Sequence, residues 1–170
     1  FHAAVLDLAV VEALDGLPPV AASAALAPLF EGAPRFLARL VAARPFGSWP
    51  ALFESARTIA LAMPEDEQVE LVDAHPPLGA APGSVSVLSF REQGYDREAA
   101  DASAEDERRR IDAERAVLNA AYDARFGFRY CVFVAGRPRA ALLPGFRAAL
   151  HRERAEELRR ALGDVIAVAE

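Results

Sequence analysis

Phe126-Gly127-Phe128-Arg129-Tyr130-Cys131-Val132-Phe133-Val134 is the run on which the fold class turns. It is aromatic and apolar, and the chain turns at Gly136 just beyond it, so it reads as one short, buried, extended segment. A lone strand cannot make a sheet. The expected class is therefore all-α: a single-domain helical bundle over residues 1–170 with one extended segment near 126–134. Without a partner strand, the N–H and C=O groups of that segment need other partners, and a flat, amide-rich ligand would serve. Its side chains default to core. Cys131 has no activating cation or histidine near it in sequence and reads as a small buried apolar residue.

Helical signals surround this run. Before it, the highly charged stretch from Asp96 to Arg125 carries Ile111, Ala113, Val117, Leu118, Ala121 and Tyr122 as one apolar stripe, which predicts a long amphipathic helix in its second half. After it, Phe146 to Val168 reads as one or two amphipathic helices with an Arg/Glu outer face. Further upstream, Val5 to Leu14 has helical spacing and stops at Gly16 and Pro18-Pro19. Ser23 is expected to cap a helix through Phe30. Pro34 suits the first position of a helix ending near Arg44-Pro45. Ser48 caps a longer helix bearing Leu52, Phe53, Ala56, Ile59, Ala60 and Met63, which Pro64 closes. Glu65-Asp66-Glu67 then form an acidic first turn favouring a helix to Ala74. From His75 to Val87 the residues are mostly Pro, Gly, Ala and Ser, which is loop, and Ser89 caps a short helix.

Composition agrees and narrows the function. Of 170 residues, 53% are hydrophobic and 26% charged, the balance of a globular chain rather than a disordered one. Ala is abundant while Val, Ile and Thr are sparse, which favours helix. A formal net charge of -6 leaves no broad basic face for nucleic acid or an anionic membrane, and no stretch approaches the ~18 apolar residues of a membrane span. No secretory leader is read at Phe1. Cys131, as the lone cysteine, cannot form an internal disulfide, which fits a cytoplasmic location. All basic residues are Arg, so lysine Schiff bases and Walker-type phosphate loops are excluded. HExxH and GxGxxG patterns are absent, and no metal or organic cofactor is expected.

Two constellations remain. Of three histidines, His2 lies at the terminus and His151 in an Arg/Glu-rich helix face. His75 stands where a helix meets a Pro-Pro-Leu-Gly turn, a position that suits either catalysis or a simple interaction with the helix dipole. In Ser89-Phe90-Arg91-Glu92-Gln93, residues 89, 92 and 93 share one helical face. That face offers a hydroxyl, a carboxylate and a carboxamide to a small polar ligand; a capping box between Ser89 and Glu92 explains the same residues.

The succession Leu29-Phe30-Glu31, Arg44-Pro45-Phe46, Ala74-His75-Pro76-Pro77-Leu78-Gly79, Ser89-Phe90-Arg91-Glu92-Gln93, Leu118-Asn119-Ala120-Ala121-Tyr122 and Arg125-Phe126-Gly127-Phe128 resembles the OHCU decarboxylases. These are the 2-oxo-4-hydroxy-4-carboxy-5-ureidoimidazoline decarboxylases of uric acid degradation. The resemblance implies an all-α homodimer that converts OHCU to (S)-allantoin and carbon dioxide without a cofactor. It implies that His75 is the proton donor and Glu92 its catalytic partner. Pro76, Ser89, Phe90, Arg91 and Gln93 would line or contact the substrate. Tyr130, Cys131, Val132, Phe133 and Val134 would hold its ring, largely through the backbone.

Several positions depart from the family pattern. Pro77 stands where Asp is usual, Arg35 where Trp is common, and Gly94-Tyr95-Asp96 replace a small-residue stretch. Ala149 and Arg152 occupy places often held by Arg and Asn. Two rival expectations follow: a non-catalytic helical paralogue that dimerises with urate-pathway enzymes, using the Arg-rich faces at 108–115 and 152–160, or a decarboxylase for a related ureido compound.

Overall fold

The structure, a computed structural model, describes residues 11–78 and 105–170. Eight α-helices lie among them: α1 Val11–Asp15, α2 Pro19–Leu26, α3 Pro34–Ala42, α4 Trp49–Ala62, α5 Glu65–Asp73, α6 Glu105–Phe126, α7 Arg139–Ala149 and α8 Arg154–Ala169, with a 3-10 turn at Ala27–Leu29. No strand occurs among the described residues, so the all-α expectation holds. The chain divides into two compact units, one of described residues 11–75 and 162–170, the other of 76–78 and 105–161.

In the first unit, local sequence chemistry sets the helix ends. Pro34 is the first residue of α3, with its fixed φ suited to a position where an N–H would be unused. Ser48 caps α4 by accepting a hydrogen bond from the Ala51 N–H at 3.2 Å. Ser48→Ala should lower stability by about 1 kcal/mol, read as a lower urea midpoint at unchanged slope; an unmoved midpoint would show that the cap carries nothing. Leu52, Phe53, Ala56, Ala60 and Met63 are buried as their spacing predicts, with Ile59 half-buried. One cap falls elsewhere: α2 starts at Pro19, and Ser23 lies inside it. Proline at the first position pre-forms the helical φ, so the Pro18-Pro19 pair starts the helix before Ser23 can. Asp15 holds the α3–α4 turn, accepting from the N–H groups of Phe46 and Gly47 at 3.0 Å each. The core includes Phe30 and Phe36, packed edge to face at 4.9 Å.

The second unit is built on α6, which begins at Glu105 and so is longer than the stripe alone suggests. Its buried positions are Arg115, Leu118, Tyr122 and Phe126. Ala113, Val117 and Ala121 are exposed, because burial follows the aromatic positions and short side chains one step around the helix gain less from it. Phe126 is the last helical residue, not the first extended one. Gly127 follows at φ 77°, donating its N–H to the Asp123 carbonyl at 2.9 Å, the left-handed helix ending that glycine favours. α7 starts at Arg139, ahead of the expected Phe146, and carries Pro144 within it. Pro138 stands at its start, and the helix continues through Pro144 despite its missing N–H.

Residues 127–134 form no helix and pair with no strand. Phe128 and Tyr130 are buried with Arg129 exposed between them, and Cys131 and Val134 are buried further along. Tyr122 is the centre of this core: its ring meets Phe126 at 4.5 Å, Tyr130 at 5.1 Å and Phe128 at 5.7 Å. Tyr130 also stacks on Phe146 at 3.7 Å.

Candidate active site

His75 is set by the end of α5. The helix closes at Asp73, the His75 N–H reaches the Val72 carbonyl at 3.1 Å, and the chain turns into Pro76 and Pro77. The ring folds back on its own helix, with Nδ1 3.0 Å from the Leu71 carbonyl. A carbonyl only accepts, so Nδ1 carries the proton in the neutral ring and Nε2 is the nitrogen that takes one up. The side chain is 4% exposed. Burial holds its pKa below the ordinary value near 6.5, against the Leu71 carbonyl and the Glu31 carboxylate, which both push it up.

That shift predicts a pH dependence of stability. Between the ordinary value and the lowered one, the unfolded chain binds a proton that the folded ring refuses. The contribution is therefore complete above about pH 6.5 and is lost as the pH falls below it. His75→Gln should flatten the decline in Tm between roughly pH 6.5 and 5; parallel curves for the two proteins would contradict the assignment.

Pro76 and Pro77 are half-buried and Leu78 is buried. The Leu78 carbonyl accepts from Asn119 Nδ2 at 3.1 Å, so the Asn119 amide on α6 pins the turn that follows Pro76. Of the other expected site residues, Ser89, Phe90, Arg91, Glu92 and Gln93 lie outside the described residues, as does His2. His151 is exposed.

The segment bearing Tyr130 to Val134 is anchored by arginines through its carbonyl groups. Arg160 donates to the Cys131 carbonyl at 3.0 Å, and Arg137 to those of Val134 at 2.9 Å and Phe133 at 2.6 Å. Arg154 donates to the Phe126 carbonyl at 2.9 Å and lies over the Phe128 ring. Part of the backbone demand expected of a ligand is thus met within the protein. Tyr130, Cys131 and Val134 are buried, Val132 is half-buried and Phe133 is exposed at its side chain.

Behind the segment lies Glu157, fully buried. Its Oε1 accepts from Tyr122 Oη at 2.7 Å and from Arg160 Nε at 2.8 Å and Nη2 at 2.5 Å. Its Oε2 accepts from Arg152 Nη1 at 3.3 Å. Burial, and then the Glu157 carboxylate, push the Tyr122 hydroxyl far above its usual range, so it remains a donor.

In the first unit a groove of about 920 Å³ runs along α2 and α3, lined by Pro19, Val20, Ala24, Leu37, Val41 and Pro45 among others. None of the expected site residues lines it. No three His, Cys, Asp or Glu side chains among the described residues come together as metal ligands, and no described helix is long and apolar enough to cross a membrane.

The model of the OHCU decarboxylase family matches residues 15–170. The chain belongs to that family. A solved structure, titled "Crystal structure of (S)-allantoin synthase", aligns with a TM-score of 0.60 at 20% identity over 94% of this chain. The chain spans about half of that protein, 51% of its length. At this identity the likeness establishes a shared fold. No curated protein matches the sequence.

Within this OHCU decarboxylase family member, Gly94-Tyr95-Asp96 lie outside the described residues, and the departures at Arg35, Ala149 and Arg152 are absorbed locally. Arg35 donates to Glu70 Oε2 at 2.6 Å and to Asp66 Oδ2 at 2.7 Å. Arg152 meets Glu157, and its carbonyl accepts from Arg125 at 2.9 Å. Ala149 is fully buried. Asn119, Glu157 and Arg160 were assigned no site role from sequence. Asn119 and Tyr122 sit in one short motif of the resemblance, and that was the available signal; Glu157 looks like any other residue of an Arg/Glu-rich face.

Proposed function

We propose that this chain, acting as a single OHCU decarboxylase domain, converts 2-oxo-4-hydroxy-4-carboxy-5-ureidoimidazoline to (S)-allantoin and carbon dioxide without a cofactor. The observation that carries the reading is His75: a buried imidazole, neutral at neutral pH, with Nδ1 committed to a helix carbonyl and Nε2 left as the proton-exchanging atom. Membership of the family supports the substrate.

The chemistry suits that group. The bond from the ring carbon to the carboxylate breaks, carbon dioxide leaves, and the electron pair passes into the conjugated imidazolone. A neutral imidazole first takes the substrate hydroxyl proton and then returns a proton to carbon from one face, which yields one enantiomer. In this proposal Glu92 orients and stabilises the charged imidazole. Ser89, Phe90, Arg91 and Gln93 contact the ureido and carbonyl groups. Pro76 and the Tyr130–Val134 backbone bound the ring and its oxygens. A homodimer and a cytoplasmic location belong to the same proposal, on the family likeness and the single cysteine.

The test supplies freshly generated OHCU and follows allantoin by circular dichroism. The proposal predicts a rate above the spontaneous one and an excess of the (S) enantiomer. Racemic allantoin formed at the spontaneous rate would overturn it.

A further inference from the structure

The Arg160 guanidinium on α8 is committed at both ends. Its Nε and Nη2 grip Oε1 of the fully buried Glu157, one turn earlier on the helix, at 2.8 and 2.5 Å. That leaves Nη1 for the Cys131 carbonyl, at 3.0 Å. The guanidinium also lies over the Tyr130 ring at 5.1 Å, and that ring is stacked on Phe146 at 3.7 Å, so the plane of the fork is held as well as its edges. The peptide from Cys131 to Val132 is trans and planar, so its N–H points opposite to its carbonyl. Fixing the carbonyl on Arg160 therefore aims the Val132 N–H away from that side chain. Val132 is half-buried, and neither its N–H nor its C=O has a hydrogen-bond partner among the described residues. Its two neighbours, Cys131 and Phe133, are anchored through their carbonyls by Arg160 and Arg137. A half-buried donor without a partner, in a segment held on both sides, is placed for a ligand.

We propose that Arg160, locked by Glu157, is a positioning residue for the decarboxylation: through the Cys131 carbonyl it aims the Val132 N–H at the substrate oxygen that gains negative charge. For its chemistry this rests on the decarboxylase reading above; the hydrogen-bonded chain from Glu157 to Cys131 does not. When carbon dioxide leaves, the electron pair passes into the imidazolone, and charge builds on its ring oxygen until a proton returns to carbon. A donor already in place then strengthens without reorganising. A cation on the carbonyl of the same peptide also polarises it, which makes the N–H the better donor. Both effects grow as charge develops, so they act on kcat rather than on substrate binding.

Arg160→Lys keeps a cation for Glu157, but one compact ammonium lacks the fork that also holds the carbonyl. In ligand-free protein the Cys131 carbonyl carbon resonance should shift in this variant, reporting the lost hydrogen bond. On OHCU, kcat should fall by ~10-fold with KM unchanged, less than the ~10²-fold cost of deleting a donor outright, because the N–H is misaimed rather than absent. Tyr122→Phe separates positioning from stability. It removes the 2.7 Å bond to the same carboxylate oxygen and none to the segment, so it should lower the urea midpoint and leave kcat at the wild-type value. In the wild type, the Val132 amide proton should move downfield as (S)-allantoin is added. A Val132 amide that stays in place with allantoin bound overturns the inference whatever the variants do. So does a Cys131 resonance that Arg160→Lys leaves unmoved, an unchanged kcat where the resonance has moved, or an equal loss of kcat in Tyr122→Phe. A shifted resonance in a protein with no action on OHCU would sustain the Arg160 contact and remove the decarboxylase reading.

Discussion

His75→Ala should reduce OHCU decarboxylation by ~10²–10⁴-fold, the usual contribution of a positioned general acid–base group. The size follows from the place of the ring. Its Nδ1 is fixed on the Leu71 carbonyl at 3.0 Å, so a single nitrogen handles the proton, and the side chain is shielded from water that could substitute for it. Deleting a buried ring also leaves a cavity, so His75→Gln is the companion variant: it fills most of the space and cannot shuttle a proton at neutral pH. Both should lose the excess of (S)-allantoin, because protonation from solvent does not distinguish the two faces. A rate and enantiomeric excess equal to wild type in either folded variant would contradict the role of His75.

Glu157→Ala should have the largest effect on stability, about 3–5 kcal/mol, the cost of removing one member of a buried ionic group. Glu157 is fully buried, and Arg160, Arg152 and Tyr122 all depend on it. Arg160 in turn holds the Cys131 carbonyl and lies over the Tyr130 ring at 5.1 Å. The loss should therefore appear first as faster amide exchange through residues 130–134, and then as a lower urea midpoint. Tyr122→Phe removes one hydrogen bond and keeps the ring packing, so about 1–2 kcal/mol is expected. The two changes share a partner and should combine non-additively. A loss below about 1 kcal/mol for Glu157→Ala would mean the network is not what holds the segment.

Local chemistry made most of the fold legible. Pro34 and Ser48 act at the helix ends where their backbone and side-chain preferences place them. The run expected as core is buried at Phe126, Phe128, Tyr130, Cys131 and Val134 and exposed at Arg129 and Phe133, and Phe126 still closes α6. The errors arise where two local signals compete. Ser23 loses its cap to Pro19, and α7 starts at Arg139 behind Pro138, ahead of the expected Phe146. The exposed Ala113–Val117–Ala121 track shows a further limit: helical period identifies a stripe, but tertiary packing chooses which edge of it is buried.

The site was legible in part. His75 falls at a helix end by its neighbours, and the structure adds which nitrogen is committed and in which direction burial moves it. The carbonyl demand of an unpaired extended segment was foreseeable; that arginines from the following loop and α8 meet much of it was not, because those partners are distant in sequence and look like solvated charge.

A crystal structure of the protein soaked with (S)-allantoin addresses the catalytic arrangement most directly. The account predicts product bound with His75 Nε2 and the Glu92 carboxylate both within hydrogen-bonding reach, about 3 Å, and with ring oxygens against the Tyr130–Val134 backbone. Product seated elsewhere, or an imidazole and a carboxylate opening onto different surfaces, would contradict it.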